Sequence, residues 1–259
     1  MLAMIETFRR KLAAGGVYGP FSKTSEPGMI EALGYAGFDF VILDLEHGPN
    51  NILSVQNLLR AAELSGVFPI VRVKEDVLSS ISEALDIGAG GILCPKVDSV
   101  ARAHRIIETA KFAPLGQRGV CRFVRAARYS DLDRFDYFKA ANQSLVILGL
   151  EGLEALAQLS DILTLPGVDI IFIGPFDLSQ SLGLAGQIDH PEVEAKMSEV
   201  VECCQRAGIS VGTFCETPKG ATKWRRAGVR FISYGVDLSL FYQACHETAA
   251  SLKALDRQT

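Results

Sequence analysis

Eight short apolar runs recur along the chain: Val17–Phe21, Phe40–Leu45, Pro69–Val73, Gly91–Val97, Leu145–Glu151, Asp169–Gly174, Ser210–Cys215 and Phe231–Val236. They are nearly continuous in Val, Ile, Leu and Phe rather than alternating, which is the pattern of parallel strands covered on both faces. Stretches of helical periodicity separate them. In "ILSVQNLLRAAELSG" the residues Ile52, Val55, Leu58, Leu59 and Ala62 share one face, and Gly66 ends the segment. "SVARAHRIIETAKF" opens on Ser99, a side chain suited to an N-cap. "HPEVEAKMSEVVECCQRAG" has Pro191 and acids near its start and Gly208 at its end. The opening "MLAMIETFRRKLAAGG" reads as an amphipathic helix closed by Gly15-Gly16.

Strand–helix alternation repeated eight times predicts an α/β protein with a (β/α)8 TIM barrel, an N-terminal helix and a long loop before the fifth strand. Residues 1–259 read as a single TIM-barrel domain, with no internal repeat, linker or low-complexity tract. A doubly wound open sheet is the competing architecture. It is disfavoured because no G-x-G-x-x-G follows an early strand. The long connection, residues 113–143, is aromatic and basic and carries Arg118, Arg122, Arg125 and Arg128. Long loops in compact domains are usually functional or disordered. An ordered loop near a ligand is the expectation here, with a basic solvated or oligomer-facing surface as the alternative.

Composition narrows the functional classes. The chain is 48% hydrophobic, and its formal net charge of −4 provides no global basic field for nucleic acid. No stretch approaches the ~20 apolar residues of a transmembrane helix, and the N-terminus lacks the apolar core of a signal peptide. Six scattered cysteines without a C-x-x-C pair are expected to be free thiols. The expected setting is the cytoplasm, and the expected partner is a small molecule rather than nucleic acid or a membrane.

The candidate chemistry sits at strand ends. Asp44, Glu46 and His47 close the second apolar run, Arg72 lies near the end of the third, Lys96 near the end of the fourth and Glu151 at the end of the fifth. Asp177 follows the sixth in "IFIGPFDLS". Each residue alone has a structural explanation. Glu151 and Asp177 could cap the next helix, and His47 could merely pack. As a set they would converge on the C-terminal mouth of a barrel. Two acids from adjacent strands suit a hard divalent cation, with water and substrate oxygens completing the shell. A cation so placed polarises the carbonyl of a 2-oxo acid. Arg72 could hold a developing oxyanion, and His47, oriented by Asp44, could move a proton.

In order along the chain, "LDLEHGPNN", "VRV", "GAGGILCPKVDS", "GQRGV", "RAARY", "LEG" and "IFIGPFDLS" resemble the HpcH/HpaI family of class II metal-dependent aldolases, from about Gly16 to Leu240. The resemblance implies a TIM barrel, a divalent metal (Mg²⁺, Mn²⁺ or Co²⁺) and chemistry through a pyruvate-type enolate. It also implies a homo-oligomer, trimeric or hexameric, that exchanges its last helix. By position it implies Glu151 and Asp177 as metal ligands and His47 with Asp44 as the acid–base pair. Arg72 then lies beside the keto oxygen, and Gly174, Pro175, Phe176 and Asp177 form the segment that receives the substrate carboxylate. Gly149 and Lys96 stand where many aldolases carry Gln and Met, and Gly149 is expected to open space beside the metal. The implied reaction is cleavage or formation of a 4-hydroxy-2-oxo acid. The alternatives are a citrate-synthase-type condensation of oxaloacetate with acetyl-CoA, as in siderophore biosynthesis, and a non-catalytic anion-binding barrel.

Overall fold

The computed structural model describes residues 1–75 and 77–255. Eight parallel strands close into a barrel in sequence order: β1 Val17–Ser22, β2 Phe40–Asp44, β3 Phe68–Arg72, β4 Gly91–Cys94, β5 Leu145–Leu150, β6 Ile170–Ile173, β7 Ser210–Cys215 and β8 Phe231–Val236. β8 pairs in parallel with β1 to complete the ring. All eight predicted strands are present. The largest boundary difference is at β4, which stops at Cys94 rather than Val97. Pro95 has no N–H for the ladder, and Lys96 follows in a left-handed conformation, φ 47°.

The helices are α1 Leu2–Ala14, α2 Pro27–Tyr35, α3 Ile52–Ser65, α4 Ser79–Asp86, α5 Val100–Ala110, α6 Arg134–Ala141, α7 Leu153–Ala157, α8 Leu159–Ile162, α9 Pro175–Ser181, α10 Pro191–Ala207, α11 Pro218–Ala227 and α12 Asp237–Leu255. The expected caps form. The Ser99 hydroxyl accepts the Arg102 N–H, and Gly66 and Gly208 end α3 and α10 in left-handed conformations. No helix among the described residues is long and apolar enough to cross a membrane.

Strand parity separates two cores. Val41, Leu43, Val71, Val146, Leu148, Ile171 and Ile173 face the helices. Phe40, Ile42, Phe68, Ile70, Leu145, Ile147, Ile170 and Phe172 fill the barrel. Helix α1 plugs the N-terminal end with Ile5, Phe8 and Leu12, and the Phe8 ring stacks on Phe68 with centroids 4.3 Å apart. The inward parity therefore runs 40, 42, 44 in β2, 68, 70, 72 in β3 and 145, 147, 149, 151 in β5. That register aims Asp44, Arg72 and Glu151 into the mouth.

The long connection corrects one expectation. It contains a 3₁₀ turn at Arg125–Ser130 and helix α6, and it packs at the N-terminal end of the barrel, away from the strand-end acids. Arg118 pairs with Asp86 at the end of α4 (2.6 Å), and Arg125 pairs with Glu63 late in α3 (2.7 Å) while donating to the Ile87 carbonyl. Helices return antiparallel to the strands, so acids at helix C-termini hold these arginines at the far face. A cavity of about 470 Å³ opens there, lined by Arg118, Arg125 and Arg128 but by none of the strand-end acids.

Candidate active site

Asp44 is the fixed point of the mouth. It is fully buried, and it accepts Nε and Nη2 of Arg72 at 2.9 and 2.6 Å. Its Oδ1 also accepts the backbone N–H groups of Glu46 (2.9 Å) and His47 (3.2 Å). Burial alone would raise this carboxyl; Arg72 and the two backbone donors outweigh burial and hold it below the ordinary value. Arg72 Nη1 reaches Glu46 Oε2 at 3.1 Å, and its guanidinium lies 4.6 Å from the centroid of the Phe21 ring. The arginine is thus fixed on three sides with its plane set by a two-point contact.

The expected pairing of Asp44 with the His47 imidazole is not what forms. Asp44 binds the His47 backbone, while the imidazole is exposed and its Nε2 faces Glu46 Oε2 at 3.9 Å. Glu46, which the strand pattern flagged without a role, proves central. Its side chain is 8% exposed and lies 3.9 Å from Lys96 Nζ as well. Burial raises its carboxyl despite Arg72, His47 and Lys96 nearby.

Glu151 follows β5 and Asp177 lies in the first turn of α9, and neither caps a helix: α7 and α9 begin at Gly152 and Gly174 without a side-chain cap. The two carboxylates flank Gly174. A Cβ on that glycine would sit 3.1 Å from Glu151 Cγ and 3.6 Å from Asp177 Oδ2. Burial, then the charges of Asp177 and Glu46, push Glu151 up to about 7, against Arg72 and a backbone N–H from Lys96. An acid pair with this mutual repulsion fits a divalent cation, whose charge would relieve it. Among the described residues no three His, Cys, Asp or Glu side chains gather as a ligand set. Two carboxylates leave the remaining positions to water and substrate oxygens.

Gly149 does not open the expected space. A Cβ there would stand 3.1 Å from Cys94 O, from Pro95 Cα and from Glu151 Oε1. The end of β4 occupies the room, and the Val97 N–H donates to Gly149 O at 2.9 Å. The cavity above the acids is about 200 Å³ and is lined by Arg72, Glu151, Gly174, Pro175, Phe176 and Asp177 together with Lys23 and an aromatic wall. Lys23 went unremarked in the sequence, yet it lies just past the end of the first apolar run, the position that flagged the other residues.

The family model for HpcH/HpaI aldolase/citrate lyase matches residues 18–244. The chain is 33% identical over 236 residues to the 2-dehydro-3,6-dideoxy-6-sulfogluconate aldolase of Pseudomonas putida, covering 91% of this chain and 92% of that one. Its structure resembles an HpcH/HpaI aldolase/citrate lyase family protein from Burkholderia cenocepacia J2315 with a TM-score of 0.90 and 32% identity, over 96% and 99% of the two chains. It also resembles the citrate synthase SbnG with a TM-score of 0.87 and 28% identity, over 99% of each chain. A strand-end constellation set in a barrel of this likeness makes the chain a member of the HpcH/HpaI aldolase/citrate lyase family and a carbon–carbon lyase of the aldolase type.

Proposed function

We propose that the protein is a divalent-metal-dependent aldolase that makes or cleaves 4-hydroxy-2-oxo acids through the enolate of pyruvate. The observation that carries this reading is the convergence of Glu151, Asp177 and a fully anchored Arg72 in one small cavity. Glu151 and Asp177 hold Mg²⁺, Mn²⁺ or Co²⁺, and the bound ion supplies Lewis-acid polarisation of the substrate carbonyl. The remaining N–H groups of Arg72 face the keto oxygen and stabilise the charge that develops there. Gly174, Pro175 and the Phe176-Asp177 segment bound the carboxylate end of the oxo acid. His47, exposed at the rim, moves the proton to and from the substrate. Asp44 acts through Arg72 and through the turn that carries His47.

A homo-oligomer, trimeric or hexameric, belongs to the same reading. In α12 no described residue after Asp237 is buried, and Phe241, Tyr242, Leu252 and Leu255 are all more than half exposed. A helix that presents such a surface calls for a protein partner, and exchange of the last helix between copies would supply one. The cysteines are all free, consistent with action in the cytoplasm.

The test is NMR of pyruvate in D₂O with enzyme and Mg²⁺ or Mn²⁺. Metal-dependent loss of the methyl proton signal is expected, and its absence with every ion rejects the enolate reading. The likeness to SbnG over the whole chain favours one second reading, condensation of oxaloacetate with acetyl-CoA. Release of free CoA thiol from that pair, with no aldehyde accepted, would establish it instead.

A further inference from the structure

A second cavity lies at the opposite end of the barrel from the strand-end acids. Its volume of about 470 Å³ falls within the ~300–1,000 Å³ of small-molecule sites and is more than twice the 200 Å³ of the mouth. Ile5, Leu85, Ala89, Leu132, Ala140 and Ala141 make much of its wall apolar.

The buried part of the lining is not a finished core. Tyr137 is 2% exposed, and its hydroxyl has no hydrogen-bond partner among the described residues. The same holds for Nε of Arg118, whose side chain is 1% exposed. Both residues line the cavity. Buried polar atoms are almost always satisfied, so two left over beside one cavity mark a site rather than packing.

The rim is built from backbone in a sparsely populated conformation. Arg128, Tyr129 and Ser130 have φ of 49°, 55° and 85° in succession. Arg122 Nη2 holds this run by donating to the Ser130 and Leu132 carbonyls at 3.3 and 3.2 Å. Consecutive left-handed residues without glycine are strained, and such strain persists only where the surroundings fix it. The run sets Arg128 and Tyr129 on the cavity.

The charges sort into pairs, with one of each sign left over. The charged side chains of the lining are Glu63, Arg118, Arg125, Arg128 and Asp136. Arg125 is paired with Glu63 at 2.7 Å, and Arg118 with Asp86 at 2.6 Å. Arg128 and Asp136 are both exposed, and among the described residues neither is in an ion pair, with the other or with any third group. One free cation and one free anion thus border a single apolar cavity. Its electrostatic complement is a molecule that carries both signs on an apolar body.

We infer that this cavity binds an α-amino acid with an apolar side chain. Arg128 donates to the carboxylate, and Asp136 accepts from the ammonium. The side chain lies against the apolar wall and is removed from water there. A fatty acid leaves Asp136 unmatched, and an alkylamine leaves Arg128 unmatched. None of these residues lines the mouth, so the inference does not rest on the aldolase reading.

The test is calorimetric titration of the full chain with L-leucine and L-phenylalanine. The controls are 4-methylpentanoate, which is leucine without its ammonium, and 3-methylbutylamine, which is leucine without its carboxylate. At least one of the amino acids is expected to bind and to raise Tm as its concentration rises. Each single-headed analogue should bind about 3- to 10-fold more weakly, between the effect of an exposed ion pair and that of a charge-assisted hydrogen bond. Arg128→Gln should bring leucine down to the affinity of the amine, and Asp136→Asn down to that of the acid. Neither variant should lower the Tm of the free protein, since neither side chain has a partner to lose. If a variant does not fold, the analogue series on the wild type decides. Absence of heat and of a rise in Tm with both amino acids overturns the inference. So does equal binding of leucine and its two analogues, or unchanged affinity in both variants. Displacement of leucine by pyruvate and Mn²⁺ would place it at the mouth and overturn the inference as well. The aldolase reading stands or falls separately, on pyruvate methyl exchange.

Discussion

Asp44→Asn isolates the anchor of the mouth, because it changes one atom and one charge at a site with no exposure. Oδ1 accepts from the Glu46 and His47 N–H groups and from Arg72 Nε, so the asparagine oxygen must stay there. Its Nδ2 then replaces Oδ2 opposite Arg72 Nη2, where the present contact is 2.6 Å. Two donors cannot share that distance, so Arg72 must tilt away and keep Glu46 alone. Breaking a buried ion pair costs ~3–5 kcal/mol; with Glu46 still 3.1 Å from Nη1, the lower end, about 3 kcal/mol, is expected. For a chain of this size that is a fall in Tm of about 6–12 °C. The pH dependence follows from the direction of the shift. The folded carboxyl lies below the ordinary aspartate value of 3.8. Its contribution is thus complete above the unfolded pKa and is lost as pH falls through the lowered folded value. The gap between wild type and Asp44→Asn should be constant near neutrality and close in acid. Urea unfolding at several pH values measures it, and pyruvate methyl exchange reports the displaced arginine. A variant within about 2 °C of wild type with unchanged exchange, or a gap indifferent to acid, would refute the reasoning.

Glu151→Gln and Asp177→Asn should each weaken Mn²⁺ binding in calorimetric titration and lower the exchange rate by on the order of 10³-fold, the several kcal/mol a Lewis acid supplies. His47→Ala should slow exchange by ~10²–10⁴-fold at saturating pyruvate without loss of thermal stability, since the imidazole is exposed. Gly149→Gln has to push the Cys94–Pro95 backbone aside and should cost about 1–3 kcal/mol in denaturant unfolding; an equally stable variant would show that the site has room after all. Arg125→Met leaves the Ile87 carbonyl and Glu63 without their partner, and a loss of about 1–3 kcal/mol is expected with acceptor preference unaltered. A change in acceptor preference would instead connect the far face to the mouth.

The eight strands were legible because parallel strands buried on both faces must be apolar almost throughout, and the polar residues at their ends stood out against that background. Asp44, Arg72 and Glu151 could each be placed from sequence to within a residue of a strand end, and Asp177 just after the sixth strand, and the barrel brings them together. Pairing was not legible. His47 follows Asp44 by three positions, yet the carboxylate spends its oxygens on Arg72 and on backbone N–H groups, a choice made by the β2–β3 register. Gly149 suggested open space, but a missing side chain leaves space only if no neighbour fills it, and here β4 ends against it. The arginine-bearing loop suggested a segment near a ligand, with a solvated or oligomer-facing surface as the alternative; which end of the barrel a loop occupies depends on where its counter-charges lie, and Asp86 and Glu63, the partners of Arg118 and Arg125, are set at helix C-termini. Lys23 is the converse case. Its residue type and spacing are unremarkable, and only the closure of β8 onto β1 brings the Asp237 clamp to its turn and the lysine to the wall of the cavity. Local hydrophobic pattern determined the elements and their ends, because burial acts on each residue alone. Partners across the barrel were decided by closure, because register is a property of pairs of strands.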